Sequence, residues 1–435
     1  MSPTSRSSSP EDVAHADRRG EPGTQAAALA VTSEPVPRII SVDDHVVEPP
    51  DLWTRFLPAK HRHAAPTIRR VRGLPDRNAR HGTFRPASDG EVADCWFFEG
   101  VYFPITSGLV EVGLPDSRRT RYSFCVTFED ILPGAYQQAA RIADMDANHT
   151  EACLCFPTFP RFCGQTFLEY GERDLAAACI RAYNDWMIDE WCSGAGYGRL
   201  IPLTLIPLWD VEAAVQEVHR CADKGGHAIA FSESPTKLEL PSLYSGYWDP
   251  LWDACQDTET VVNMHIGSSS QFVTSGPDSP PIVPISLTHT LSEHALVDWL
   301  CSGVLERFPG LRVALSEGQV GWMPYLLERL DRTWHQYRRY AQAINELPRP
   351  PSSYMSQVFG CVFDDLDGLE NRDKVGIDQI MFEVDYPHGD STWPHSVERV
   401  RELSTRAGLS DEEVTKIVRS NAISCYGLDR LGITQ

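Results

Sequence analysis

In this 435-residue chain, acids and histidines recur where short apolar runs end. The first such run, Ile39-Ile40-Ser41-Val42, finishes in Asp43-Asp44-His45, with Glu48 three residues further on. Later runs finish at His265, at Glu317, and at Asp385 with His388 close behind. Side chains two apart on a strand point to the same side, so Asp43 and His45 face one place together. Glu48 lies just past the strand, where the chain can curl back over that place. Any one of these residues is unremarkable, because a single acid at a strand end is more often a helix cap. The repetition at the same end of four runs points to a metal site.

The elements that must position them follow from periodicity. Apolar runs near 39–42, 152–156, 200–203, 228–231, 261–265, 313–317, 358–359 and 379–385 alternate with helical stretches at 136–149, 168–192, 210–223, 248–257, 292–308 and 320–343. Such alternation is the signature of a parallel sheet wrapped by helices. Eight runs favour a closed (β/α)8 TIM barrel over an open doubly wound sheet. No G-x-G-x-x-G follows the first run, and Gly194-Ala195-Gly196-Tyr197-Gly198 follows a helix, where it reads as a C-cap turn. In a barrel of this kind the active site sits at the C-terminal ends of the strands, which is where the acids and histidines fall. Residues 1–36 read as a disordered, solvated tail and 37–435 as the barrel, with an aromatic-rich insertion at about 60–130 after the first strand that forms a lid. Ser410-Asp411-Glu412-Glu413 reads as a capping box opening a terminal helix.

Composition narrows the function. Sixty acidic against 39 basic side chains leave a net charge of −21, which argues against nucleic acid and anionic membrane surfaces as partners. No stretch reaches the roughly eighteen apolar residues of a membrane span. The twelve cysteines include no C-x-x-C pair and read as reduced core thiols of a cytoplasmic protein.

The order Asp43-x-His45, His265-x-Gly267, Phe308-Pro309-Gly310-Leu311 and Asp385-Tyr386-Pro387-His388 resembles the amidohydrolase-related barrels, which include aminocarboxymuconate-semialdehyde decarboxylase. The resemblance runs from about Ile39 to Leu428. It implies that Asp43, His45, His265 and Asp385 bind a catalytic divalent metal. Where the decarboxylases carry a histidine after the sixth strand, this chain has Leu315-Ser316-Glu317-Gly318. That swap, together with Glu48 and the string Ser316–Trp322, resembles a branch containing non-heme diiron monooxygenases of secondary metabolism. Charge points the same way: Asp43, Glu48, Glu317 and Asp385 bring four negative charges, which two divalent ions neutralise. A carboxylate-rich site suits iron or an iron/manganese pair.

The leading expectation is therefore a dinuclear iron (or Fe/Mn) monooxygenase that hydroxylates a small-to-medium apolar metabolite. It would use O₂ and an electron donor, with Asp385 and His388 as catalytic residues, in a homo-oligomer. The alternative is a hydrolase or non-oxidative decarboxylase with a single zinc or manganese ion and Asp385 as ligand and general base. A third reading is a degenerate barrel that serves as a partner subunit. His289 and His294, near the start of the helix after the fifth strand, are further candidates for a second metal site.

Overall fold

Near-continuous apolar runs bury both faces of a strand, and they build the centre of this protein. The computed structural model describes residues 35–75, 82–115, 125–276, 278–338 and 347–435. The expected tail, residues 1–36, lies outside the described residues except for Pro35 and Val36. In chain order the strands are β1 (Ile39–Val46), β2 (Thr67–Pro75), β3 (Phe84–Pro86), β4 (Glu91–Phe98), β5 (Val101–Pro104), β6 (Thr150–Pro157), β7 (Leu200–Ile201), β8 (Ala228–Phe231), β9 (Val261–His265), β10 (Val313–Ser316), β11 (Val358–Val362) and β12 (Ile380–Phe382).

Parallel pairing joins β1-β6-β7 in one sheet and β12-β11-β10-β9-β8 in another. Backbone contacts link the two sheets on both sides. Thr204, just past β7, makes a parallel bridge to Ile229 of β8. Beyond β12, Asp385 N–H donates to the Asp43 carbonyl (2.9 Å), and His45 N–H to the Tyr386 carbonyl (2.7 Å). The result is a TIM-barrel-like α/β fold with helices on the outside. The four runs that end in acid or histidine are β1, β9, β10 and the extension of β12.

The outer helices begin where caps permit. Asp210 accepts the Ala213 N–H at the start of Val211–Ala222, and Ser410 with Glu413 forms the expected capping box. Helix lengths depart from expectation. The helix expected over 292–308 is two, His289–Cys301 and Val304–Arg307, separated at Gly303. Gly303 has φ 77°, a left-handed turn that ends the first helix. The stretch expected to end at 343 is helical over Met323–Tyr337, and residues 339–346 lie outside the described ones.

The segment between β1 and β6 is more regular than its sequence promised. Strands β2–β5 pair antiparallel among themselves, β2 with β3 and β4, and β5 with β3 and β4. Trp96 of β4 anchors this unit by packing edge-on to Trp53 (4.9 Å) and stacking on Phe159 (5.1 Å). The chain then passes over the loop after β12, where Val112 N–H donates to the Pro387 carbonyl (3.1 Å). Among the described residues, no helix is long and apolar enough to cross a membrane.

Candidate metal centre

The i, i+2 rule works at β1: Asp43 and His45 lie together, fully buried, at the strand ends. His45 Nε2 lies 3.0 Å from Asp385 Oδ1 and 3.5 Å from Asp43 Oδ1. His265 comes from the end of β9. Its Nδ1 is 2.6 Å from the Ile266 carbonyl, an acceptor only, so Nδ1 carries a proton and Nε2 is the atom that faces the centre. That Nε2 lies 2.8 Å from Glu317 Oε2 and 3.6 Å from Asp43 Oδ2. His388 Nδ1 is 3.1 Å from Asp385 Oδ1, and its ring stacks on His45 with centroids 3.4 Å apart.

Two overlapping sets result, Asp43–His45–His265 and His45–Glu317–Asp385–His388. Each offers ligand atoms that all lie within 4.8 Å of one another. Both oxygens of Asp43, both of Asp385, and the Nε2 atoms of His45 and His265 are buried without a hydrogen-bond partner. Six convergent buried polar atoms without hydrogen bonds would be costly without a cation to receive them. The donor set, carboxylate oxygens with imidazole nitrogens, fits a divalent metal ion. Titration tells the same story. Burial, then the neighbouring Glu383 and Asp385, pushes the Asp43 carboxyl well above the usual range, while burial and the flanking His388 and His265 hold His45 well below its own. For His388 burial pulls downward, but Asp385, Glu317 and Asp390 together outweigh it and raise the imidazole.

Glu317 reaches this centre from an unusual backbone. Its φ is 59°, and the next residue, Gly318, presses so closely on the helix His289–Cys301 that a Cβ there would lie 2.2 Å from Ser292 Oγ. A glycine is required at that position, and it fixes the turn that carries Glu317.

Glu48 departs from expectation. It is fully buried, but its two oxygens accept the backbone N–H groups of Thr158 and Phe159, each at 2.9 Å, and it joins neither ligand set. It ties the loop after β6 to the end of β1 instead. His289 and His294 also lie outside both sets, with His294 exposed on its helix.

Two residues that the spacing argument passed over matter here. Glu383 stands two before Asp385, so the rule that paired Asp43 with His45 would have found it. Its carboxyl is fully buried, and Oε2 accepts the Glu317 N–H (3.1 Å). Arg141, on the helix Gln138–Ala147, carried no local signal. Its buried guanidinium donates to the Gly134 carbonyl (2.7 Å), the Cys155 thiol (3.1 Å) and the His45 carbonyl, and lies 4.4 Å from the Tyr386 ring centre. It thus braces the ligand-bearing end of β1 against the loop after β12. Beside His388 opens a cavity of about 290 Å³, walled by Glu111, Val112, Trp393 and His395 among others.

Comparison with known proteins gives the family and the fold. The amidohydrolase family model matches residues 130–428. Gamma-resorcylate decarboxylase from Rhizobium radiobacter is 21% identical over 315 residues, covering 67% of this chain and 88% of that protein. An amidohydrolase from Mycobacterium avium subsp. paratuberculosis superposes with a TM-score of 0.65 at 22% identity, covering 90% of this chain and 99% of the other. A 5-carboxyvanillate decarboxylase from Novosphingobium aromaticivorans, solved with manganese, superposes with a TM-score of 0.52 at 20% identity, covering 66% and 79%. These findings overturn the expected dinuclear iron monooxygenase, since the curated relatives are decarboxylases. Oxygen and an electron donor lose their motivation with it. The matched span takes in most of the described chain, from the segment before β6 to the last helices, and the chain belongs to the amidohydrolase family.

Proposed function

We propose that this protein is a divalent-metal-dependent, non-oxidative decarboxylase of a small aromatic carboxylic acid. The observation that carries the reading is the convergence of unpaired, buried ligand atoms from Asp43, His45, His265 and Asp385, with Glu317 and His388 alongside. The aromatic acids in the names of the decarboxylase relatives supply the substrate class. The ring of Phe162, stacked 3.8 Å from His265, provides a flat apolar wall beside the centre.

One ion offsets most of the ligand charge. With Glu48 withdrawn to backbone amides, the carboxylates of the two ligand sets are Asp43, Glu317 and Asp385. Three negative charges meet one dication, and beside them stands the His388 imidazole, which burial lowers but Asp385, Glu317 and Asp390 together raise. Manganese or zinc satisfies this donor set. When bound, such an ion supplies the electrophilic charge that polarises a substrate carboxylate or its neighbouring oxygen.

The protein's own groups do the rest. Loss of CO₂ breaks the ring-to-carboxyl bond and leaves an electron pair on carbon, which must take up a proton. His388, oriented by Asp385 through Nδ1 and bordering the cavity, would carry that proton. The strands are read as one closed (β/α)8 barrel. The insertion forms the lid, since Glu111 and Val112 wall the cavity and Val112 grips Pro387. Such a lid excludes water from the reacting carbon.

The test is CO₂ release from a panel of hydroxybenzoates under strictly anaerobic conditions. Release should vanish on chelation and return with manganese or zinc. Turnover only in the presence of oxygen, or turnover indifferent to chelators, would overturn the proposal. Cleavage of esters or amides with no CO₂ release would assign a hydrolase instead.

A further inference from the structure

Glu383 is a buried acid next to the centre but outside both ligand sets. Its Oε2 accepts the Glu317 N–H at 3.1 Å and the Cys361 thiol hydrogen, and its Oε1 has no hydrogen-bond partner. Glu317 holds φ 59°, a conformation that a residue with a Cβ keeps only when its surroundings over-determine it.

Those surroundings can be traced on both sides of Glu317. On the C-terminal side, Gly318 lies against Ser292, and the Trp322 indole donates to the Gly318 carbonyl (2.7 Å). Asp365 accepts the N–H groups of Val320 (2.8 Å) and Gly321 (2.6 Å). On the N-terminal side the side-chain anchor is Glu383. With the turn held at both ends, Glu317 Oε2 stands 2.8 Å from His265 Nε2.

We infer that Glu383 is a positioning residue. By accepting the Glu317 N–H, it holds Glu317 in the left-handed turn that aims its carboxylate at His265. The inference rests on the reading that Glu317 helps to hold a divalent ion. An apolar side chain in place of Glu383 would leave a buried N–H without an acceptor, and the turn would relax away from the centre. The hydrogen bond is what matters, so a neutral amide oxygen at the same place should serve.

The experiment uses the full chain, with Mn²⁺ alone as the probe, and compares Glu383→Gln with Glu383→Met, which has similar length and no acceptor. Free Mn²⁺ is followed by electron paramagnetic resonance during titration, and backbone exchange at Glu317 by hydrogen–deuterium mass spectrometry. Glu383→Gln should match the parent in both readouts. Glu383→Met should weaken Mn²⁺ binding by about 10-fold or more, the usual scale for losing a group that orients a ligand, and should speed exchange at Glu317. Should Glu383→Met fail to fold, Glu383→Ala takes its place with the same expectation. Loss of affinity in Glu383→Gln equal to that in Glu383→Met would make the charge decisive and overturn the positioning role. So would unchanged affinity and exchange in Glu383→Met. If the parent binds no Mn²⁺, the metal reading fails, while the exchange comparison still decides whether Glu383 holds the turn.

Discussion

Changing Glu48→Gln separates a ligand from a structural tie. Glu48 is fully buried, and burial pushes its carboxyl up to about 7 against the pull of the Phe159 and Thr158 amides. The ordinary value, 4.5, applies in the unfolded chain. A carboxyl whose folded pKa is raised contributes stability that is fully present below the unfolded value and is lost as pH rises through the folded one. The window therefore runs from about 4.5 to about 7. A difference of about 2.5 units at about 1.36 kcal/mol each is worth roughly 3 kcal/mol. Glutamine is neutral at every pH but offers one acceptor oxygen to two N–H donors, so the variant should lie below the parent by about 1–3 kcal/mol near pH 4 and gain on it by about 3 kcal/mol between pH 4 and pH 8. With an unfolding entropy of about 2.1 cal/mol/K per residue, that gain moves the melting-temperature difference between the two proteins by roughly 3 °C across the window. The assay is scanning calorimetry of both proteins across pH, with metal content by mass spectrometry. Metal per chain should be unchanged. A variant that lost its metal, or that tracked the parent at every pH, would refute the reasoning and return Glu48 to the ligand set.

Asp385→Asn should remove anaerobic decarboxylation and most of the bound metal, because Asp385 oxygens face both His45 and His388; metal analysis beside the activity assay checks this. Arg141→Met should cost about 3–5 kcal/mol in denaturant unfolding, because the Asp44 carboxylate 3.5 Å from the guanidinium would be left buried without its cation. Chelation should lower the melting temperature by roughly 3 °C relative to protein held at about 100 times the metal dissociation constant, equivalent to about 2.7 kcal/mol.

Much of this was legible before any coordinates because buried parallel strands are near-continuous apolar runs. Ala228-Ile229-Ala230-Phe231 and Val261-Val262-Asn263-Met264-His265 are buried along their whole length, and a run of that kind has few alternatives. The site followed from the same runs, since residues at strand ends in such a fold share one face. What escaped depended on contacts remote in sequence. Glu48 sits three residues from His45, but partners 110 and 111 residues away decide where its oxygens point. The antiparallel unit β2–β5 was hidden by the charge of Thr67–Pro75, whose exposed arginines mask any alternation. Arg141 is 96 residues from the carbonyl it holds.

The replacement of a histidine by Glu317 after the sixth strand was the residue that pointed away from a decarboxylase, and the geometry explains why it need not. The chemistry requires an imidazole within reach of the ligand cluster, not one at a given place in the chain. The loop after β12 brings His388 to the centre, buried, stacked on His45 at 3.4 Å and paired with Asp385 at 3.1 Å. Against the downward pull of burial, that carboxylate with Glu317 and Asp390 raises the imidazole, the property the proposed proton donor needs. Glu317 meanwhile takes a place beside His265 that an imidazole would have shared only as a second neutral donor. The exchange puts a negative charge where those decarboxylases carry an imidazole, and leaves His388, within the shared Asp385-Tyr386-Pro387-His388 pattern, as the imidazole beside Asp385.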